Sequence, residues 1–213
     1  MDKRSAPTSR TQVKRVATYA SYDTALLHEI IDTAYVCHIA FRDANGTHCI
    51  PTACWRQDGY LYIHGSNGSR MLKQLQEQEC CVAITHVDGL VLARAAFNHS
   101  MNYRSAMIYG RFEEVDEAHK REAMEAFMEH LVPGRQPEVR AGSDKEYAAT
   151  TVMRISLAEA ACKTRTGPPE DDAEDACLPV WAGVLPLARV HGEAVAAPGC
   201  TAIAPDYVRH WQG

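Results

Sequence analysis

The chain reads as mainly β (α+β), an antiparallel barrel or sandwich with helices packed outside it. Three observations predict this. Strand-like runs follow one another directly, joined by tight turns. The strongest amphipathic helix comes after the strand cluster instead of alternating with it. No Rossmann fingerprint or βαβ alternation is present.

The elements follow in order. Residues 23–34 carry Leu26, Leu27, Ile30 and Ile31 at helical spacing, with Asp23 or Ser21 as cap. "YVCHIAFR" is a strand, and Asn45-Gly46 is a hairpin signal because both residues tolerate positive φ. "HCIPTACWR" returns, "QDG" turns and "YLYIH" follows, which predicts a three-stranded meander. Pro51 lacks an N–H, so its strand lies at an edge or carries a bulge. "SRMLKQLQEQ" is a short helix with Met71, Leu72 and Leu75 inward. "CCVAITHV", "LVLARAAF" and "NYRSAMIYGRFEEV" are strands. In residues 116–132 Ala123, Met124, Phe127, Met128 and Leu131 line one helical face, and Pro133-Gly134 stops it. "TTVMRISLAEA" is one more strand. A surface segment rich in Gly, Pro and acids follows, with a short helix expected near residues 169–177. The reading totals about six strands and three helices.

Length bounds the organisation. A chain of 213 residues suits one sizeable domain. We read residues 1–20 as a flexible arm, 21–187 as the domain and 188–213 as a tail packed on it. The composition is ordinary, 46% apolar and 23% charged. A net charge of −5 gives no global field toward nucleic acid or anionic lipid. No apolar run reaches the roughly 20 residues of a membrane span, and the polar, basic start is not a secretory signal. A cytoplasmic protein with reduced thiols is expected. Eight cysteines occur without a C-x-x-C, so no metal site is expected.

The chemistry centres on "YIHGSNGSRML", residues 62–72. A helix start exposes unpaired N–H groups and partial positive charge. Gly65 and Gly68 let a ligand approach the backbone. Ser66 and Ser69 bring hydroxyls, and Arg70 brings a planar fork suited to phosphate. There is no G-K-[ST], so this is not a P-loop. The alternative is a plain helix cap at Ser69 beside a solvated arginine. A second polar cluster, with Asn98, His99, Ser100, Asn102, Tyr103, Arg104 and Ser105, opens a strand. It is the rim of a site or a loop bonded to its own backbone. A third, "KTRTGPP", places Lys163 and Arg165 two apart. Trp181 either stacks on a planar ligand or fills a core.

The order of the meander, "HGSNGSRML", "NYRSAMIYGR" and "CKTRTGPP…PVWAGVLPL" resembles the FMN-binding split-barrel superfamily of pyridoxamine 5′-phosphate oxidase. The nearest branch is the one that includes the nitroimidazole-resistance proteins. The resemblance spans about residues 22–187. It implies an antiparallel split β-barrel with peripheral helices, a homodimer, and FMN held at the interface. Carried over, Ser69 and Arg70 meet the FMN phosphate, while His64 and Ser66 lie along the ribityl chain or ring. Pro51 and Thr52 pass the isoalloxazine edge. Arg104 and Ser105 reach the flavin from the partner subunit. Asn102, Lys163, Arg165 and Trp181 belong to shared segments of the site. Met71 stands where the oxidase has a lysine, so one phosphate contact is missing or comes from Lys163. The oxidase's basic substrate-phosphate set is also absent, which argues against pyridoxamine phosphate as substrate.

The function this implies is an FMN-dependent oxidoreductase acting on a small molecule, with NAD(P)H as a visiting donor and His64 beside the ring, either as a catalytic proton donor or as a residue that only hydrogen-bonds the cofactor or packs beneath it. A non-catalytic flavin store uses the same loop. A haem-binding split barrel is the third reading, with His64, His86 and His99 as candidate axial ligands.

Overall fold

The computed structural model describes residues 5–211. Two antiparallel sheets enclose the main core. The larger contains β1 (Ala20–Ser21), β2 (Val36–Asp43), β3 (Gly46–Ala53), β6 (Cys80–Leu92), β7 (Ser100–Gly110) and β10 (Ala160–Arg165), in the order β1-β10-β7-β6-β2-β3. A further strand, β11 (Gly183–Pro186), pairs with the far half of β6. The smaller sheet contains β4 (Trp55–Gln57), β5 (Tyr60–Ser66), β8 (Glu113–Glu114) and β9 (Thr150–Ser156), in the order β4-β5-β9-β8. The helices are α1 (Thr24–Asp32), α2 (Arg70–Glu77), α3 (Glu117–Leu131), α4 (Asp144–Ala148) and α5 (Asp206–Arg209).

Period-two alternation sets the sheet faces. Cys37, Ile39 and Phe41 of β2, Val82 and Ile84 of β6, and Ala106 and Ile108 of β7 point inward. They meet Leu61, Ile63, Met153 and Ile155 of the smaller sheet, with Leu27, Ile30 and Ile31 of α1 and Leu72 and Leu75 of α2. Val36, Thr85 and Val87 lie on the other face of the larger sheet and are exposed. The outer face of the smaller sheet is covered by α3, where Trp55, Tyr62, Val115, Ala123 and Val152 form a second cluster. Four cysteines, Cys37, Cys54, Cys80 and Cys162, are buried free thiols. They act as small hydrophobes. Burial pushes those of Cys80 and Cys162 up to about 12.

The expected meander is divided between the two sheets. β3 ends at Ala53, Cys54 breaks the run, and β4 begins the smaller sheet at Trp55. β3 is therefore an edge strand, which accommodates Pro51, and its register with β2 runs unbroken through the His38–Pro51 pair. The first hairpin turns on Ala44 and Asn45, not on Asn45-Gly46. Asp43 pairs with Gly46, which takes φ +122°. The Asp43 carboxylate accepts from Asn45 N at 2.7 Å, fixing that turn from its side chain. In the second hairpin Asp58 has φ +52° between the paired Gln57 and Tyr60.

Other expectations shift. The two runs on either side of residue 88 form one 13-residue strand, with a register shift between Val87 and Gly89. The helix expected near residues 169–177 is a series of turns, because Pro168 and Pro169 precede it and it has no apolar face. α4 begins with a capping box of Ser143 and Glu146 that was not anticipated. The expected strand near residues 150–160 is β9, and "KTR" belongs to a separate strand, β10.

Both ends of the chain make specific contacts. In the stretch expected as an arm, Arg10 donates to Glu159 at 2.7 Å and to Glu79 at 2.6 Å, and Thr8 donates to Glu159. Residues 1–4 lie outside the described ones. In the tail, Arg189 donates to the Thr33 carbonyl at 3.3 Å, and Arg135 donates to the Tyr207 hydroxyl at 2.9 Å. Among the described residues no helix is long and apolar enough to cross a membrane.

Candidate functional site

The loop between β5 and α2 is held from beneath. Asn67 donates from N to the Ala149 carbonyl and from Nδ2 to the Ala148 carbonyl, and its Oδ1 accepts from Thr151 Oγ1 at 2.9 Å. Sequence reasoning missed Asn67, because its partners lie more than 80 residues away. Ser66 Oγ accepts from Gly68 N at 3.2 Å, and Ser69 Oγ caps α2 by accepting from Leu72 N at 3.4 Å. Each hydroxyl thereby uses a lone pair and keeps its O–H free to donate to an anion. A Cβ at Gly68 would meet nothing nearer than Ser66 Oγ at 3.7 Å, so the loop is open there. Gly65 has a packing reason instead, since a Cβ would come within 3.0 Å of the Leu72 side chain.

Arg70 stands at the mouth of this loop, its side chain 55% exposed. Its Nη1 lies 3.1 Å from Asp43 Oδ2, while Asp43 Oδ1 lies 2.8 Å from His48 Nε2. His48 first, then the Asn45 N–H and Arg70, hold the Asp43 carboxyl below its ordinary range against the opposing effect of burial. One face of the Arg70 fork is thus steadied by Asp43. Its remaining donors can meet a phosphate.

His64 points the other way, into the cluster under α3. Its ring lies 4.7 Å from Phe127 and 5.8 Å from Trp55, centroid to centroid. His64 Nδ1 and Trp55 Nε1 are both buried without a hydrogen-bond partner. Burial pushes the His64 pKa down. Burial thus favours the neutral imidazole over the charged one.

The other candidates fall in separate places. Pro51 is exposed on β3, and Thr52 beside it is half-buried. Ser105 and Lys163 face each other across β7 and β10, and Ser105 Oγ donates to the Lys163 carbonyl at 3.1 Å. Arg165 is buried. It donates to Asn102 Oδ1 at 2.6 Å and to the Pro168 carbonyl at 3.0 Å, while Asn102 Nδ2 donates to the Gly167 carbonyl at 3.1 Å. These two residues lock the turn after β10. Trp181 is 63% exposed and rests against Gly183, where a Cβ would come within 2.9 Å of its ring.

Arg104 grips Asp88 with two hydrogen bonds of 3.0 Å and reaches Glu29 at 3.1 Å. It lines a cavity of about 680 Å³ between the end of α1, the middle of β6, the end of α3 and the C-terminal tail. Among the described residues no cluster of three or more His, Cys, Asp or Glu can hold a metal ion.

Two antiparallel sheets round a shared core, with an open helix start on the rim, define a split barrel. A model of the pyridoxamine 5′-phosphate oxidase family matches residues 23–164, and the chain belongs to that family. The flavocytochrome Anf3 from Azotobacter vinelandii is 38% identical over 96% of this chain and 97% of its own, with a TM-score of 0.93. The FAD and haem binding protein from Mycobacterium smegmatis is 34% identical over 92% of this chain and 98% of its own, with a TM-score of 0.87. A candidate 5-nitroimidazole antibiotic resistance protein from Bacteroides thetaiotaomicron shares the fold at 22% identity, over 68% of this chain and 85% of its own, with a TM-score of 0.57. No curated protein matches the chain.

Proposed function

We propose that the protein is a flavin-binding redox protein that also carries haem, in the manner of a flavocytochrome. The observation that carries this reading is near-full-length similarity to the Azotobacter flavocytochrome and the Mycobacterium FAD and haem binding protein. The second relative favours FAD over the FMN expected from the motifs. The haem reading, third in order from sequence, becomes part of the function.

The rim loop fits the flavin phosphate. The hydroxyls of Ser66 and Ser69 would donate to its oxygens, the start of α2 would add unpaired N–H groups, and Arg70 would supply the charge. Pro51 and Thr52 on the edge strand β3 offer a flat backbone flank to the ring. A second copy of the chain would cover the exposed outer face of the larger sheet around Val36, Thr85 and Val87, making a homodimer. When bound, the flavin supplies hydride and single-electron chemistry, and the haem single-electron chemistry. The chain binds the groups, orients them and excludes water. A small-molecule substrate and a nicotinamide donor would visit the open side, and an enzyme that reduces a small acceptor fits this arrangement.

The test is the visible spectrum of the purified protein with chromatography of the released cofactors. A two-band flavin spectrum with a Soret band, and FAD in the extract, is expected. Flavin without any Soret band returns the protein to a flavoprotein only. Absence of both, even after adding FAD and haemin, removes the proposal.

A further inference from the structure

We propose that Asp43 is a selectivity residue of the rim loop. Its carboxylate, set against Arg70, makes the loop favour a phosphate ester with one negative charge per phosphorus over a terminal phosphate with two. This rests on the reading above that the loop holds the flavin phosphate.

Asp43 ends β2, and its side chain is only 6% exposed. Its two oxygens have different surroundings. Oδ1 accepts from Asn45 N at 2.7 Å and lies 2.8 Å from His48 Nε2. That oxygen fixes the hairpin turn, and an asparagine would serve the turn as well. Oδ2 is buried and accepts no hydrogen bond. It lies 3.1 Å from Arg70 Nη1. The contact is a pairing of charges without hydrogen-bond alignment, so the Arg70 fork keeps donors for a ligand. The turn has no need of this second oxygen or of its charge. What the charge meets is Arg70.

The charges at the loop can be counted. A phosphate there would face Arg70 and Asp43 together, and their formal charges cancel. What remains is the start of α2, equivalent to roughly half a positive charge, and the neutral hydroxyls of Ser66 and Ser69. Such a site suits a single negative charge. A terminal phosphate monoester carries about 1.5 to 2 negative charges at pH 7. A phosphodiester, or a diphosphate joining two groups, carries one per phosphorus.

Neighbouring cations do not change the count. Met71, next to Arg70, is buried and adds no charge. Lys163 is on β10, separated from β2 by β7 and β6. Arg42 and Lys73 are exposed, where water and salt screen them. Asp43 is shielded from water, so its repulsion of a second negative charge is felt. One extra unit charge opposed in this way is worth about 10-fold in affinity.

The test compares riboflavin, FMN and the methyl ester of FMN, each titrated into the full chain by flavin fluorescence at about pH 8, where the FMN phosphate is doubly charged. The methyl ester carries one negative charge less than FMN and adds no adenosine, so it isolates the charge. Riboflavin has no phosphate, so its affinity reports the fold and the ring site alone. Wild type should bind the methyl ester about 10-fold more tightly than FMN. Asp43→Asn should bring the two near parity by tightening FMN, with riboflavin unchanged. Arg70→Ala should weaken both esters and leave riboflavin as it is. Wild type that binds FMN as tightly as its methyl ester overturns the selectivity, whether or not any variant folds. So does an Asp43→Asn variant with wild-type riboflavin affinity and the wild-type preference between the esters. Esters that bind no more tightly than riboflavin overturn the loop reading instead.

Discussion

Arg70 is the residue on which flavin affinity should turn. A hydrogen bond to a charged group is worth about 1.5–3 kcal/mol. Arg70→Ala should therefore weaken flavin binding about 10- to 100-fold by fluorescence titration, while the fold survives because the side chain is largely exposed. Unchanged affinity would demote Ser69 and Arg70 to a helix cap. His64 makes a different prediction. Burial depresses its pKa below the ordinary 6.5. The unfolded chain therefore binds the proton more tightly than the native one, and His64 costs stability as pH falls below about 6.5. Its imidazole NMR shifts should titrate below 6.5. A midpoint at or above that value contradicts the buried, unpartnered ring.

At the scale of elements, turn geometry and strand ends decide stability. Gly46 has φ +122° and open space around it, so a side chain there meets backbone strain without a clash. Gly46→Ala should cost about 1–2 kcal/mol, read as a lower urea midpoint at unchanged slope. Equal stability would mean that the turn relaxes. The N-terminal stretch is tied by Arg10 to Glu79 and Glu159. Arg10 first, then Thr8, holds the Glu159 carboxyl at about 2 instead of 4.5. The tether is then fully present above about pH 4.5 and is lost as pH falls from there through about 2. Hydrogen exchange at residues 8–11 should accelerate over that window and stay flat above it. Acceleration between pH 5 and 7 would point to another anchor.

For the whole molecule, the open face of the larger sheet is the place to test assembly. Val36 and Val87 are 46% and 43% exposed there. A Val36→Asp/Val87→Asp variant places two charges on a face that a second copy would bury. It should sediment as a monomer where wild type sediments as a dimer. Identical sedimentation of the two proteins at low concentration would move the interface elsewhere or remove it.

Local pattern made three of the helices, most of the strands and the rim loop legible. α1, α2 and α3 carry their apolar residues at helical spacing, the hairpins carry turn residues, and Ser66, Ser69 and Arg70 lie within five residues of each other, so the loop is a local object. Local signals also explain the errors. Asn45-Gly46 looked like a turn centre because both residues accept positive φ, but the Asp43 side chain moved the turn back by one residue. Tertiary structure alone decided the rest. Whether β3 pairs with β5 or ends at the barrel edge depends on which strands close the core. Which way His64 faces follows from β5 belonging to the smaller sheet, whose outer side α3 covers. Asn102 and Arg165 were legible as polar residues but not as partners, because 63 residues separate them. The cavity that Arg104 lines joins α1, β6, α3 and the tail. No periodicity records such a meeting, since hydrophobic patterning sets which face of each element is buried and not which elements share it.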